Sequence, residues 1–181
     1  YFKKIGLNKK KENLVLVDKL PLSIIELGFI KCIFPDSKII LSLRHPCDVI
    51  TSCFFSSFKI NDAMINFLNI DHTIDFYNQV FSLYEHYEKE IGLNIHKIKY
   101  ENIVNNFEYE IKKVLSFLNL KFEKELEKFY VTALNREKIS TPSYNQVINP
   151  LYTSSIGRWK KYPQIKNEVH KLKKWIDKFK Y

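Results

Sequence analysis

The chain has 181 residues, of which 45% are apolar and 15% aromatic, which excludes an intrinsically disordered protein and leaves room for one domain with a hydrophobic core. Its formal net charge of +9 favours anionic ligands: nucleotides, sulfated or phosphorylated substrates, nucleic acid or a membrane surface. Part of this charge lies in lysine-rich runs at both ends of the chain, and a solvated face is the ordinary interpretation of such runs.

The first half of the chain predicts two strands, each followed by a helix. "NLVLVDK" (13–19) is a short apolar strand, and the helix after it begins at Pro21, where the missing N–H of proline costs nothing. "KIILSL" (38–43) is the next strand, and Pro46 again marks a helix start, with the helix running to about Phe58.

The second half continues this alternation. The run "HTIDFYNQVFSLYEHYEKEIG" predicts a long amphipathic helix that ends at Gly92, and "NIHKIKY" predicts a third strand that ends at Tyr100. The other expected elements are a loop with a short helix over 59–71, helices over 107–120 and 123–137, an irregular segment over 138–155, and a basic amphipathic tail.

The alternation of strands and helices has the spacing of βαβ units, so we predict an α/β fold with a mainly parallel sheet. The sequence contains no internal repeat and no low-complexity linker, and we therefore expect residues 1–181 to form a single domain. In open parallel sheets, ligands bind at the carboxyl ends of the strands. Lys19, Arg44 and Tyr100 each stand at the end of a predicted strand, so we expect them at one edge of the sheet.

Arg44 and Ser52 are the strongest candidates for an anion site. A guanidinium can bind a phosphate through two hydrogen bonds, and the start of a helix near Pro46 adds attraction for negative charge. Ser52 lies eight residues after Arg44, on the side of the predicted helix that faces the ligand. A structural ion pair between Arg44 and Asp48 is the alternative.

The three cysteines, Cys32, Cys47 and Cys53, have no CxxC spacing, which argues against a disulfide framework. Cys47 and Cys53 could be combined with His45 as metal ligands, but no fourth ligand stands at a usual spacing. Buried structural cysteines are the better interpretation, and we predict no metal. No apolar run approaches membrane-spanning length, and we expect a cytoplasmic protein if the source is bacterial.

Four segments in order resemble the sulfotransferases that use 3′-phosphoadenylyl sulfate (PAPS): "KLP" (19–21), "RHPCDVITS" (44–52), "KYENIVNNFEYEIKKVLSFLNLKF" (99–122) and "STPSYNQVINPLYTSSIGRWKKY" (140–162). The branch that the chain most resembles is the tyrosylprotein sulfotransferase-like group, which includes bacterial proteins with tetratricopeptide repeats ahead of the sulfotransferase domain. The resemblance implies a P-loop NTPase-like, three-layer α/β/α fold. It also implies sulfuryl transfer from PAPS to a hydroxyl of a peptide tyrosine, a carbohydrate or a small molecule.

The resemblance also implies roles for individual residues. Arg44 and Ser52 would hold the 3′-phosphate, Tyr100 would contact the adenine, and Lys19 would stabilise the leaving bridging oxygen during transfer. The other residues placed at the cofactor are Ser143, Gln146, Tyr152 and Arg158.

The chain departs from the family in two places. "YTSS" (152–155) stands where cytosolic members carry Arg-Lys-Gly, so that cationic contact is absent. No glycine-rich loop for the 5′-phosphosulfate is present, because Gly6 is the only glycine before Gly28. We therefore expect the chain to be the C-terminal part of the domain, with the first strand, the loop and the catalytic base upstream, and to be inactive alone.

Two other functions remain open. A nucleotide or nucleoside kinase-like protein would share the architecture, but the sequence has no Walker lysine motif. A basic nucleic-acid-binding module would bind according to the number of phosphates, without preference for a 3′-phosphate. We expect PAPS or its product, a hydroxyl acceptor and upstream tetratricopeptide repeats as partners. We do not expect nucleic acid, and a homodimer is left open.

Overall fold

The computed structural model describes residues 15–134 and 149–181. Two of the predicted cofactor residues, Ser143 and Gln146, lie outside the described residues, as does most of the predicted irregular segment.

Two of the predicted strands form a parallel sheet. Strand β1 (Ile39–Leu43) pairs with β2 (Ile95–Lys99) in a register that places Ile39 opposite Ile95 and Leu43 opposite Lys99. A parallel pair requires a long crossover connection, and helices fill the connection here. The strand predictions over 38–43 and 94–100 are confirmed, as is the α/β class with a parallel sheet.

The strand predicted over 13–19 is wrong for its described part. Residues 15–20 have no regular secondary structure, and their apolar side chains are exposed, with Val17 at 79%. A strand is stable only when its backbone N–H and C=O groups pair with a neighbour. In the described parts of the chain, no strand pairs with this segment.

The helices follow the predicted order with different ends. A 3₁₀ helix over Pro21–Glu26 leads into the first α-helix, and the predicted helix over 123–137 is a 3₁₀ helix over Lys124–Lys128 followed by a short α-helix. The second helix ends at Phe55, three residues before the predicted end. The α-helices are α1 (Leu27–Ile33), α2 (Pro46–Phe55), α3 (Ile70–Glu90), α4 (Tyr100–Asn105), α5 (Phe107–Leu118), α6 (Phe129–Leu134), α7 (Pro163–Asn167) and α8 (Lys173–Phe179).

Helices lie on both faces of the sheet. Lys97 of β2 forms an ion pair with Glu88 of α3, whereas the neighbouring His96 contacts the ring of Phe117 of α5, with ring centres 5.4 Å apart. Successive side chains of a strand point to opposite faces, so α3 and α5 cover opposite sides of the sheet. This layering agrees with the three-layer arrangement expected from the sequence.

The main core lies between the sheet, α2, α3 and the C-terminal helices. Tyr84 of α3 and Trp175 of α8 are its largest fully buried side chains, and Leu41 and Leu43 of β1 belong to the same cluster. Tyr77, Val80 and Tyr84, all buried, lie on the predicted apolar stripe of α3. The C-terminal helices therefore complete the fold by covering α3.

The described residues contain no helix that is long and apolar enough to cross a membrane.

Candidate functional site

Arg44 and Tyr100 meet at the carboxyl edge of the sheet. Arg44 directly follows β1, Tyr100 directly follows β2, and the register places the last residues of the two strands side by side. The guanidinium carbon of Arg44 lies 5.3 Å from the centre of the Tyr100 ring, within the range of a cation–π contact. The structure thus brings together two of the predicted nucleotide-binding residues.

Asp48 does not form the ion pair with Arg44 that the sequence left open. Its carboxylate is fully buried and accepts hydrogen bonds from the backbone N–H of Gly157 at 2.7 Å and of Trp159 at 3.0 Å. Within residues 15–134 and 149–181, Arg44 takes part in no salt bridge. Arg44 is therefore not held by an ion pair with a described carboxylate, although the carboxylate of Glu101 lies nearby and accepts from the N–H of His45.

Arg44 is also incompletely hydrogen-bonded. One terminal nitrogen donates to the backbone carbonyl of Ser155, but Nε is buried and has no hydrogen-bond partner among the described residues. A buried donor without a partner is costly, and such groups are rare unless a ligand or water satisfies them. The half-buried guanidinium at this position therefore fits an anionic ligand.

Residues 152–159, which we call the 152–159 segment, run past the ends of both strands. The hydroxyl of Tyr100 donates to the carbonyl of Tyr152 at 2.9 Å, and the bond from Arg44 to Ser155 lies three residues further along. Partial burial raises the pKa of Tyr100, so its hydroxyl stays protonated and acts as the donor. The segment is thus attached to both strand ends through its backbone carbonyls.

The same segment then crosses one face of α2. Its Gly157 and Trp159 contact Asp48, and the guanidinium carbon of Arg158 lies 5.9 Å from the ring centre of Phe55. Asp48 and Phe55 are seven residues apart, and Ser52 lies between them on the same helical face. Along this face of the helix, Ser52 therefore lies between Asp48, which binds the backbone on either side of Arg158, and Phe55, which contacts the Arg158 guanidinium.

The hydroxyl of half-buried Ser52 forms no hydrogen bond with a described residue, although the backbone carbonyl accepts one from the Ser56 hydroxyl at 2.6 Å. The side-chain oxygen is therefore free to bind a ligand on this face.

The backbone N–H groups at the start of α2 are already satisfied. Oε1 of Glu101 accepts from the N–H of His45 at 2.9 Å, and Nδ1 of His45 accepts from the N–H of Cys47 at 3.2 Å. Burial lowers the pKa of His45, and its ring stacks on Trp159 with centres 5.2 Å apart. An anion at this edge would be held mainly by side chains, and the start of α2 would contribute only the general attraction of the helix dipole.

Lys19 is not joined to the other predicted residues. It lies in the exposed 15–20 segment and forms no hydrogen bond or ion pair with any residue that the structure describes. Its ammonium group is consequently available to a ligand, but the structure gives no contact that places it at the site.

Cys47 and Cys53 have the properties of structural residues, whereas Cys32 is exposed. Burial and the nearby Asp48 raise the pKa of Cys47 to about 12, and burial raises that of Cys53 to about 11 despite the opposing charge of Arg44. Both thiols are therefore protonated at neutral pH and are poor nucleophiles. Among the described residues, no group of three or more His, Cys, Asp and Glu side chains could hold a metal ion.

Three residues of the site, Asp48, Glu101 and His45, make contacts that the sequence did not predict. Each connects elements that are far apart in the chain, because Glu101 is 56 residues from His45, and Asp48 is 109 residues from Gly157. The Tyr-Glu pair at the end of β2 and the His-Pro pair at the end of β1 were visible signals, but their partners depend on the tertiary structure.

Comparison with known proteins identifies the family. The model of the sulfotransferase family matches residues 1–124, more than half of the chain, and the chain belongs to this family. An uncharacterized protein of Aquifex aeolicus (strain VF5) is similar to this chain, with 28% identity over 151 residues. This match covers 81% of the chain but only 19% of the Aquifex protein, so the chain spans about a fifth of that relative's length.

Proposed function

We propose that this chain carries the 3′-phosphate and adenine site of a PAPS-dependent sulfotransferase that acts on a hydroxyl acceptor. The observation that carries the proposal is the state of Arg44, a half-buried cation at a strand end with a buried, unpartnered Nε and no ion pair with a described carboxylate. Membership of the sulfotransferase family supports the same conclusion. When bound, PAPS supplies the sulfuryl group that is transferred.

Arg44, Ser52 and Arg158 would hold the 3′-phosphate. Two guanidinium groups and a hydroxyl can satisfy several phosphate oxygens at once, and charge-assisted hydrogen bonds of this kind are the strong ones. Asp48 would not repel the phosphate strongly, because both of its oxygens point to the backbone N–H groups of the 152–159 segment. The positive charge of Arg44 and Arg158 would thus remain available to the phosphate.

Tyr100 and Tyr152 would form the adenine side of the site. The hydroxyl of Tyr100 is used by the carbonyl of Tyr152, which leaves the aromatic ring of Tyr100 as its contact surface for a base. The resemblance adds Ser143 and Gln146 to this set. Both precede the 152–159 segment in the chain.

Lys19 would act during the transfer itself. Its exposed ammonium group has no described partner, so it can approach the bridging oxygen on which negative charge develops as the S–O bond breaks. Positioning and charge stabilisation dominate the transfer of compact anionic groups of this type. The proposal therefore separates Lys19, which acts in the transition state, from Arg44, which acts in binding.

The acceptor and the wider context rest on the resemblance. A peptide tyrosine, a carbohydrate or a small-molecule hydroxyl is proposed as the acceptor, in line with the tyrosylprotein sulfotransferase-like branch. Tetratricopeptide repeats ahead of the domain are proposed for the full-length protein.

Replacement of Arg44 by alanine tests the proposal. In the full-length protein, Arg44→Ala is expected to weaken binding of adenosine 3′,5′-bisphosphate by about 1.5–3 kcal/mol, the value of a hydrogen bond to a charged group. Binding of adenosine 5′-monophosphate, which lacks the 3′-phosphate, should change far less. Isothermal titration calorimetry measures both affinities.

Lys161→Ala is the matched control. Arg158 begins a short 3₁₀ helix, Arg158–Lys161, and the substitution removes one positive charge from an exposed position of that helix. We expect it to leave the preference for the 3′-phosphate unchanged. An equal loss of affinity for both nucleotides in Arg44→Ala would rule out the assignment.

A further inference from the structure

The buried carboxylate of Asp48 has a role that goes beyond packing. Asp48 is 0% exposed, yet the structure describes no cation beside its oxygens. A buried charge is costly unless hydrogen bonds compensate it, and here the two bonds come from backbone N–H groups more than 100 residues away. The carboxylate therefore fixes a distant piece of backbone.

The two N–H groups flank one residue, Arg158. Gly157 precedes it with a φ of +68°, a conformation that glycine adopts without strain, and Trp159 follows it and stacks on His45. When the backbone is held on both sides, the direction in which Arg158 leaves the chain is fixed. Its guanidinium then lies beside Phe55, on the helical face that carries Ser52.

We propose that Asp48 is a positioning residue for the anion site and acts through Arg158. Asp48 holds the Gly157–Trp159 backbone on α2, so that Arg158 reaches the same ligand as Arg44 from the other side of Ser52. This inference rests on the proposed function, because it assigns a structural cause to the placement of one of the proposed phosphate-binding residues.

A double-mutant cycle tests the coupling between Asp48 and Arg158. Asp48→Asn keeps the size of the side chain, but an amide offers one oxygen, and its NH₂ group would face the N–H of Gly157 or Trp159. In the full-length protein, Asp48→Asn and Arg158→Ala are each expected to lower affinity for adenosine 3′,5′-bisphosphate by about 5- to 20-fold. If Asp48 acts through Arg158, the double variant should be no weaker than Arg158→Ala alone, because coupled residues are not additive.

Two further variants separate positioning from a loss of folding. Gly157→Ala introduces strain at the positive φ and disturbs the same backbone while the Asp48 side chain stays unchanged, and it should lower the preference for the 3′-phosphate to a similar extent. Asp62→Asn removes a carboxylate at an exposed position of the loop between α2 and α3, and it should change neither affinity nor preference. Thermal unfolding of each variant shows whether it folds. If Asp48→Asn does not fold, the nucleotide affinities of Gly157→Ala test whether the Gly157–Trp159 backbone positions Arg158.

The outcomes distinguish this inference from the proposed function. If Arg44→Ala shows its expected effect but the losses from Asp48→Asn and Arg158→Ala add independently, Asp48 does not act through Arg158 and the inference fails alone. It also fails alone if Asp48→Asn weakens adenosine 3′,5′-bisphosphate and adenosine 5′-monophosphate equally. If Arg44→Ala leaves both affinities unchanged, the proposed function and the inference fail together.

Discussion

Replacement of Trp175 by alanine is expected to destabilise the fold by about 3–5 kcal/mol, the usual cost of removing a buried tryptophan or phenylalanine. Trp175 is 1% exposed, its ring contacts Phe81 and Phe179, and its Nε1 donates to Oδ1 of Asn78 at 2.8 Å. The substitution would leave a cavity between α8 and α3 and remove one of the hydrogen bonds that join the two helices. Urea unfolding followed by circular dichroism measures the change.

Trp175→Phe is the matched variant, because it keeps an aromatic ring in the cavity and removes mainly the hydrogen bond to Asn78. Trp175→Phe should lower the free energy of unfolding clearly less than Trp175→Ala does. The expected loss is roughly the 1 kcal/mol of a single hydrogen bond, plus the cost of a partial cavity. A cost below about 1 kcal/mol for Trp175→Ala would show that α8 does not hold the core together as described.

Replacement of Lys19 by alanine is expected to lower kcat in the full-length protein by about 10²–10³-fold, as when one group that stabilises charge in the transition state is removed. Because we place its action at the breaking S–O bond, the rise in KM for PAPS should be much smaller than the fall in kcat. Steady-state rates of transfer from sulfur-labelled PAPS to a panel of hydroxyl acceptors give both constants.

Lys59→Ala serves as the control, since Lys59 is also exposed and has no hydrogen bond or ion pair with the described residues. We expect wild-type kcat for this variant. A Lys19→Ala variant that keeps its kcat and loses only affinity for PAPS would make Lys19 a binding residue instead.

The sequence predicted those parts of the fold that depend on local patterns. The apolar run before Arg44 and the stripe on α3 have clear periodicity, and Pro46 marks a helix start whose missing N–H costs nothing, so β1, α2 and α3 were predicted close to their observed positions. The strand over 13–19 has the same kind of pattern but was wrong in its described part. Strand formation also requires a pairing partner, and no local pattern contains that information.

In the candidate site, too, the features that depend on local sequence patterns were predicted, and the contacts between distant parts of the chain were not. Arg44 and Tyr100 were predicted at one edge of the sheet because each follows a strand of a parallel sheet. In the structure, the guanidinium carbon of Arg44 lies 5.3 Å from the centre of the Tyr100 ring. The role of Asp48 could not be derived from the sequence. Its partners lie 109 and 111 residues further along the chain, and they are backbone N–H groups, which every residue except proline carries. The sequence suggested a pair with Arg44 because both are charged and only four residues apart.

The most direct measurement is the preference of the full-length wild-type protein for a nucleotide with a 3′-phosphate. Calorimetric titrations with adenosine 3′,5′-bisphosphate, adenosine 5′-monophosphate and ATP are compared under the same salt conditions. If Arg44, Ser52 and Arg158 hold a 3′-phosphate, the bisphosphate should bind about 10- to 100-fold more tightly than the monophosphate, the value of one strong charge-assisted contact or more. Equal affinity for the bisphosphate and the monophosphate, or tighter binding of ATP than of the bisphosphate, would contradict the proposed sulfuryl donor site.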